Sequence, residues 1–176
     1  MRLDSDNGVD NYLTAMVKMM KVIQLSATDR VGGAGIAAYC LHQGLQGIGI
    51  DSHMLVMRKA TTDPTVHRLS DYFGRIARLR RRLAQRSHKR ALTNNPRQPD
   101  SAYWSFNDQP YPIAEVINTL QADVVHLHWV GDNFIPIQEI AKIHAPIVWT
   151  LHDMWAFTGG CHYAGNCMRY QTGCGN

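Results

Sequence analysis

Two histidines at alternate positions, His126 and His128, close the stretch 122–129 (ADVVHLHW). Imidazole can serve as acid, base or metal ligand near neutral pH. Side chains alternate along a strand, so the two rings share one face while Val125 and Leu127 share the other. A strand covered on both sides carries two imidazoles only if they are hydrogen-bonded or reach a cleft. His128 lies nearer the strand end and is the candidate site residue. His126 is expected to be a buried, hydrogen-bonded support. Zinc could bind such a pair, but no third ligand stands at a useful spacing.

Two further polar clusters fall where strands should end. Gly33-Ala34-Gly35-Ile36-Ala37-Ala38 fits G-x-G-x-x-A, in which glycines admit a close ligand and the next helix offers free N–H groups to an anion. The other reading of these glycines is a tight strand–helix turn. A dinucleotide site also wants an acid about 20 residues on, at the end of the second strand. That position carries Met57-Arg58, and Arg58 could meet the extra phosphate of NADP. His152-Asp153 follows Thr150-Leu151. The Asp153 carboxylate could hold the tautomer of His152 or cap the following turn. Trp129 and Trp155 could floor a sugar site or belong to the core.

The elements that position these groups read as an α/β chain. Residues 21–26 (KVIQLS), 52–57 (SHMLVM), 123–128 and 147–151 (IVWTL) are strand-like, with helical patterns at 34–45, 113–120 and 135–143. Apolar strands alternating with helices imply a Rossmann-like parallel sheet with helices on both faces. Ligands of such sheets bind beyond the carboxyl ends of the strands, where all three clusters fall.

The chain has 176 residues, 45% hydrophobic and 18% charged, which suits one domain with a full core. Residues 1–20 form a loose polar leader without the apolar middle of a secretory signal, and the domain spans 21–176. No run of about 18 apolar residues suggests a membrane span. A cytoplasmic location follows as an expectation, with the four cysteines as thiols or metal ligands. The net charge of +4 is concentrated: eight of the eighteen Lys and Arg lie between Asp71 and Leu92. This helical segment sits in an insertion at about 65–100 and suits an anionic membrane surface or plain solvent. Nucleic acid is not expected, because aromatic residues are not interleaved with the arginines.

The stretches VGGAGIAAYCLHQGL, ADVVHLHW and PIVWTLHDMWAFTGGCHY…C…GCGN together resemble the N-terminal half of family 4, GT-B-fold glycosyltransferases. They are similar in particular to the group that builds bacterial exopolysaccharides such as colanic acid. The resemblance covers about residues 21–52 and 122–176. It implies two Rossmann-like domains facing a cleft, with this chain as the acceptor-side half and inactive alone. A pair of glutamates in E-x7-E belongs to the other half. It further implies transfer from a nucleotide-sugar donor to a glycan or lipid-linked acceptor with retention, without a catalytic metal or other cofactor. Positive groups and N–H dipoles would stabilise the leaving diphosphate. Carried over by position, His128 lies close to the transferred sugar, and Gly33 and Gly35 lie near the donor phosphates or the acceptor; His152, Asp153 and Trp129 stay substrate-binding candidates on the reading of the residues alone.

Cys161, Cys167 and Cys174 crowd the Gly-rich tail at 159–176. With His162 they could hold zinc, or they could be free thiols; no metal is expected for this chain. The rival readings are an NADP-dependent oxidoreductase and a non-enzymatic metal- or membrane-binding module.

Overall fold

The computed structural model describes residues 19–75, 79, 83, 86, 104, 105, 107, 108, 111–158 and 160–173. Among these residues five strands form one sheet: β1 (Lys21–Thr28), β2 (Asp51–Arg58), β3 (Val66–Arg68), β4 (Val124–Leu127) and β5 (Ile147–Trp149). Their order is β3-β2-β1-β4-β5, and every neighbouring pair is parallel. Helix α1 (Gly32–Gly47) crosses from β1 to β2, and α2 (Ile113–Thr119) and α3 (Ile137–Ile140) flank β4. This is the α/β, Rossmann-like arrangement expected from the alternating pattern.

Alternation along β1 divides its side chains between two unlike layers. Ile23, Leu25 and Ala27 join Leu55, Val125 and Leu127, with Ile113 and Ile117 of α2, in the larger core. Leu25 and Leu127 are register partners and fully buried. Burying each such leucine stabilises the fold by about 1.5–3 kcal/mol. The opposite face lies under α1. Ala38 packs there with Met54, Val56 and Val66. Yet β1 contributes mostly polar groups to that side: Gln24, Ser26 and Thr28, all buried, beside Val22. Helices therefore cover both faces, and the one under α1 mixes a small apolar cluster with buried polar side chains.

Gly35 explains how α1 comes so near. A Cβ there would stand 2.4 Å from Thr28 Oγ1 and 3.0 Å from the Thr28 carbonyl oxygen, so only glycine lets the helix seat on β1. Gly32 opens the helix at φ 74°, a left-handed conformation that glycine adopts without steric cost.

Several elements differ from the sequence reading. The strand expected at 123–128 ends at Leu127, although ladder bonds continue: His128 N–H donates to the Leu25 carbonyl at 2.9 Å, and Ala27 N–H to that of Trp129 at 2.8 Å. The helix expected at 135–143 is the single turn Ile137–Ile140, entered from the extended Pro136. The strand expected at 147–151 stops at Trp149. Val66–Arg68, within the expected insertion, instead adds the edge strand β3 beside β2, followed by a 3-10 turn at Leu69–Tyr72. Most of the basic segment 71–92, residues 1–18 of the leader and Cys174 lie outside the described residues. Among the described residues no helix is long and apolar enough to cross a membrane.

Candidate functional site

The strand order reverses direction at β1, which has β2 on one side and β4 on the other. The crevice beyond the carboxyl ends of strands at such a switch point is the usual ligand position. Here a small, shallow cleft opens among residues that follow β4 and β5, including His128, Trp129, His152, Asp153, Trp155 and His162. The structure thus gathers His128, Trp129, His152 and Asp153 at one place. Gly33 and Gly35 do not line this cleft. Gly33 is exposed with open space around it, and Gly35 is committed to packing on Thr28. The turn-and-packing reading therefore accounts for Gly35.

The two strand-end histidines divide their surroundings differently from the expectation. His128 lines the cleft, where the sequence reading placed it, but is only 3% exposed, whereas His126, expected to be buried, is half-buried. Nearness to the strand end does not set exposure, because the chain after β4 and β5 folds over that end. His126 Nε2 lies 2.8 Å from Thr150 Oγ1. His128 Nδ1 lies 3.1 Å from His152 Nε2, with the two rings stacked. The other nitrogen of His128, Nε2, lies 2.9 Å from the side-chain amide of Gln24. That amide sits beneath Ala38 and His42, roughly one turn beyond Gly35 along α1. His128 is thus held among polar groups rather than walled into apolar packing.

Electrostatics keep these rings neutral. Burial, then the neighbouring His126 and His152, push His128 down to about 3. Burial also lowers His126, with His152 adding to the effect. His152 is lowered by burial, against an upward pull from Asp153. Three uncharged imidazoles, two of them lining the cleft, offer hydrogen bonds rather than positive charge at neutral pH.

Asp153 does two things at once. Its Oδ1 accepts the N–H of Trp155 at 2.9 Å, capping the 3-10 turn Trp155–Phe157. Its Oδ2 accepts Trp129 Nε1–H at 2.7 Å and faces His162 Nδ1. On the far side, His162 Nε2 lies 2.8 Å from Ser105 Oγ. Ser105, His162 and Asp153 thus stand in the order of a hydrolytic triad. Their chemistry is structural. Ser105 and His162 are buried, and Ser105 Oγ also accepts the Asp132 N–H at 3.0 Å, so no substrate atom has room beside it. The set straps the tail across the end of the sheet, helped by the bridge between Trp104 and Cys161. Nothing in the sequence pointed to it, because Ser105 and His162 are 57 residues apart.

The loop after β4 is held by a reciprocal pair. Asn107 N–H donates to Asn133 Oδ1 and Asn133 N–H to Asn107 Oδ1, both at 2.8 Å. Asp132 and Asn133 take left-handed φ of 59° and 56°, which short polar side chains tolerate. Arg58, the candidate for a 2′-phosphate, has its guanidinium 3.4 Å from the Asp132 carboxylate. An acid does lie near this edge, but it follows β1: Asp29, fully buried, accepts the N–H groups of Ala60 and Thr61 and the Thr61 hydroxyl, each at 2.7 Å. It ties the loop after β2 to the loop after β1. Cys161 and Cys167 form no disulfide, and both ring nitrogens of His162 are engaged elsewhere. Among the described residues no group of three or more His, Cys, Asp or Glu could hold a metal ion.

No protein-family model matches the chain, and no solved structure does. The chain is 24% identical over 173 residues to an Escherichia coli (strain K12) protein, WcaC, named as a candidate colanic acid biosynthesis glycosyl transferase. The match takes in 88% of this chain and 38% of that protein. The sheet order and the likeness to a named glycosyl transferase converge: this is a Rossmann-like α/β chain similar to a glycosyltransferase.

Proposed function

We infer that the chain is the acceptor-side Rossmann-like domain of a GT-B glycosyltransferase of family 4. It works with a facing domain to pass a sugar, with retention, from a nucleotide-sugar donor to a glycan or lipid-linked acceptor in exopolysaccharide synthesis. The observation that carries this reading is the convergence of His128, His152, Trp129 and Asp153 on one cleft at the β1/β4 switch point, in a chain similar to WcaC. Neutral imidazoles and an indole suit an uncharged sugar ring, to which they offer hydrogen bonds and an apolar surface. His128 supports His152 from below, and Asp153 holds Trp129 in place. No cofactor is needed for such a transfer. The work would take place in the cytoplasm, with the basic segment 71–92 lying on the anionic inner face of the membrane.

The test is ligand-observed NMR of the purified protein with a panel of UDP- and GDP-sugars, followed by transfer assays on lipid extracts. Saturation transfer to one nucleotide-sugar, weakened by His152→Ala, is the expected result. Tight binding of NADPH with no response to any nucleotide-sugar would replace this reading with the oxidoreductase one.

A further inference from the structure

Gln24 lies on β1, away from the cleft, yet its side chain reaches the ring that supports the cleft histidine. Its amide sits against one rung of α1. Ala38 and His42 are an i, i+4 pair, and the amide faces the Ala38 carbonyl at 3.2 Å and the His42 N–H at 3.1 Å. Only one orientation suits both. The NH2 group must face the Ala38 carbonyl, and the oxygen must face the His42 N–H. The opposite orientation sets carbonyl against carbonyl and N–H against N–H. With the NH2 so placed, an N–H also points at His128 Nε2 at 2.9 Å, while the oxygen accepts from Ser52 Oγ at 3.2 Å.

A neutral imidazole has a single N–H. If Nε2 of His128 accepts from Gln24, the proton of His128 sits on Nδ1. That N–H meets His152 Nε2 at 3.1 Å, which must then accept. The proton of neutral His152 is therefore on Nδ1, for which no partner is found among the described residues. His152 is half-buried and lines the cleft.

We propose that Gln24 is a positioning residue that fixes the tautomers of His128 and His152, so that His152 presents Nδ1–H to the cleft as a donor. The backbone of α1 sets the amide, the amide sets the first ring, and the first ring sets the second. Resting on the glycosyltransferase reading, one consequence follows. His152 would donate to an oxygen of the sugar or its leaving group and would not serve as general base.

Ring-nitrogen NMR of the 15N-labelled protein without any sugar ligand tests the assignment. Nδ1–H tautomers are expected for both His128 and His152. An Nε2–H tautomer of His128 in the unmodified protein overturns the proposal. Gln24→Glu replaces the donor with an acceptor, so Nε2 of His128 should gain a proton and His152 Nδ1 should lose its own. Should Gln24→Glu not fold, Gln24→Met removes the amide, and the single tautomer of His128 should give way to a mixture. Unchanged spectra in the folded variant overturn the role of Gln24. Because no ligand is present, failure of the transferase assay and failure of this assignment are separate outcomes.

Discussion

His128 Nδ1 and His152 Nε2 stand 3.1 Å apart, joining the residue after β4 to the chain after β5 across the carboxyl edge of the sheet. The contact forms between residues 24 apart in sequence. It exists because β4 and β5 are parallel neighbours whose ends finish at the same level.

The pair has a pH signature. His128 has an ordinary value of 6.5 in the unfolded chain and about 3 in the folded one, so protonation favours unfolding. Its contribution to stability is complete above 6.5 and is lost progressively as pH falls towards 3. His126 and His152 shift in the same direction. Urea midpoints measured across this range should fall with pH, and His128→Gln should flatten the slope. A slope unchanged by the substitution would remove His128 as a source.

Gly33 and Gly35 should separate cleanly. Gly35→Ala drives a methyl to 2.4 Å from Thr28 Oγ1 and should cost about 1–3 kcal/mol by overpacking. Thr28→Ala in that background should restore part of the loss. Gly33→Ala meets nothing within 4 Å, lies in helix α1, and should gain about 0.5–1 kcal/mol. Denaturant titration of the three variants measures both.

The Ser105–His162–Asp153 strap is expected to matter for stability and not for hydrolysis. Ser105→Ala removes the hydroxyl that bonds both the buried His162 Nε2 and the Asp132 N–H, at a cost of about 1–3 kcal/mol. Fluorophosphonate probes should leave Ser105 unlabelled. Covalent labelling at that serine would show a reactive hydroxyl and overturn the structural role.

Asp29 provides a second acid-sensitive lock. Burial alone would raise its pKa, but the bonds from Thr61 and Ala60 outweigh this and hold it below the ordinary 3.8. Its stabilising contribution is therefore present above 3.8 and is lost as pH falls through the lower folded value. Asp29→Ala should destabilise the fold by about 1–3 kcal/mol at pH 7 through the stranded N–H groups. Amide exchange should quicken at Ala60 and Thr61 before it does in β1.

Much of the sheet could be read directly. The apolar runs at β1, β2, β4 and β5 and the glycine-led helix between the first two are local patterns, set by side-chain periodicity and turn chemistry. The edge strand β3 was missed, because three residues carry too little pattern. Its pairing is visible only once β2 is present beside it. Histidines at the end of β4 and after β5 were visible as candidates by type and by place. Gln24 was not, because a glutamine inside an apolar run has no periodic signal of its own.

The sequence by itself determined which strands form, that helices cover both faces, and that imidazoles gather where strands end. Those follow from interactions among residues close in the chain. Tertiary structure alone decided that His128 is buried and His152 faces the cleft, that Gln24 joins His128 to the backbone of α1, and that Ser105 meets His162. Burial and hydrogen-bond partners depend on which distant segments fold over a side chain, and spacing along the chain does not carry that information.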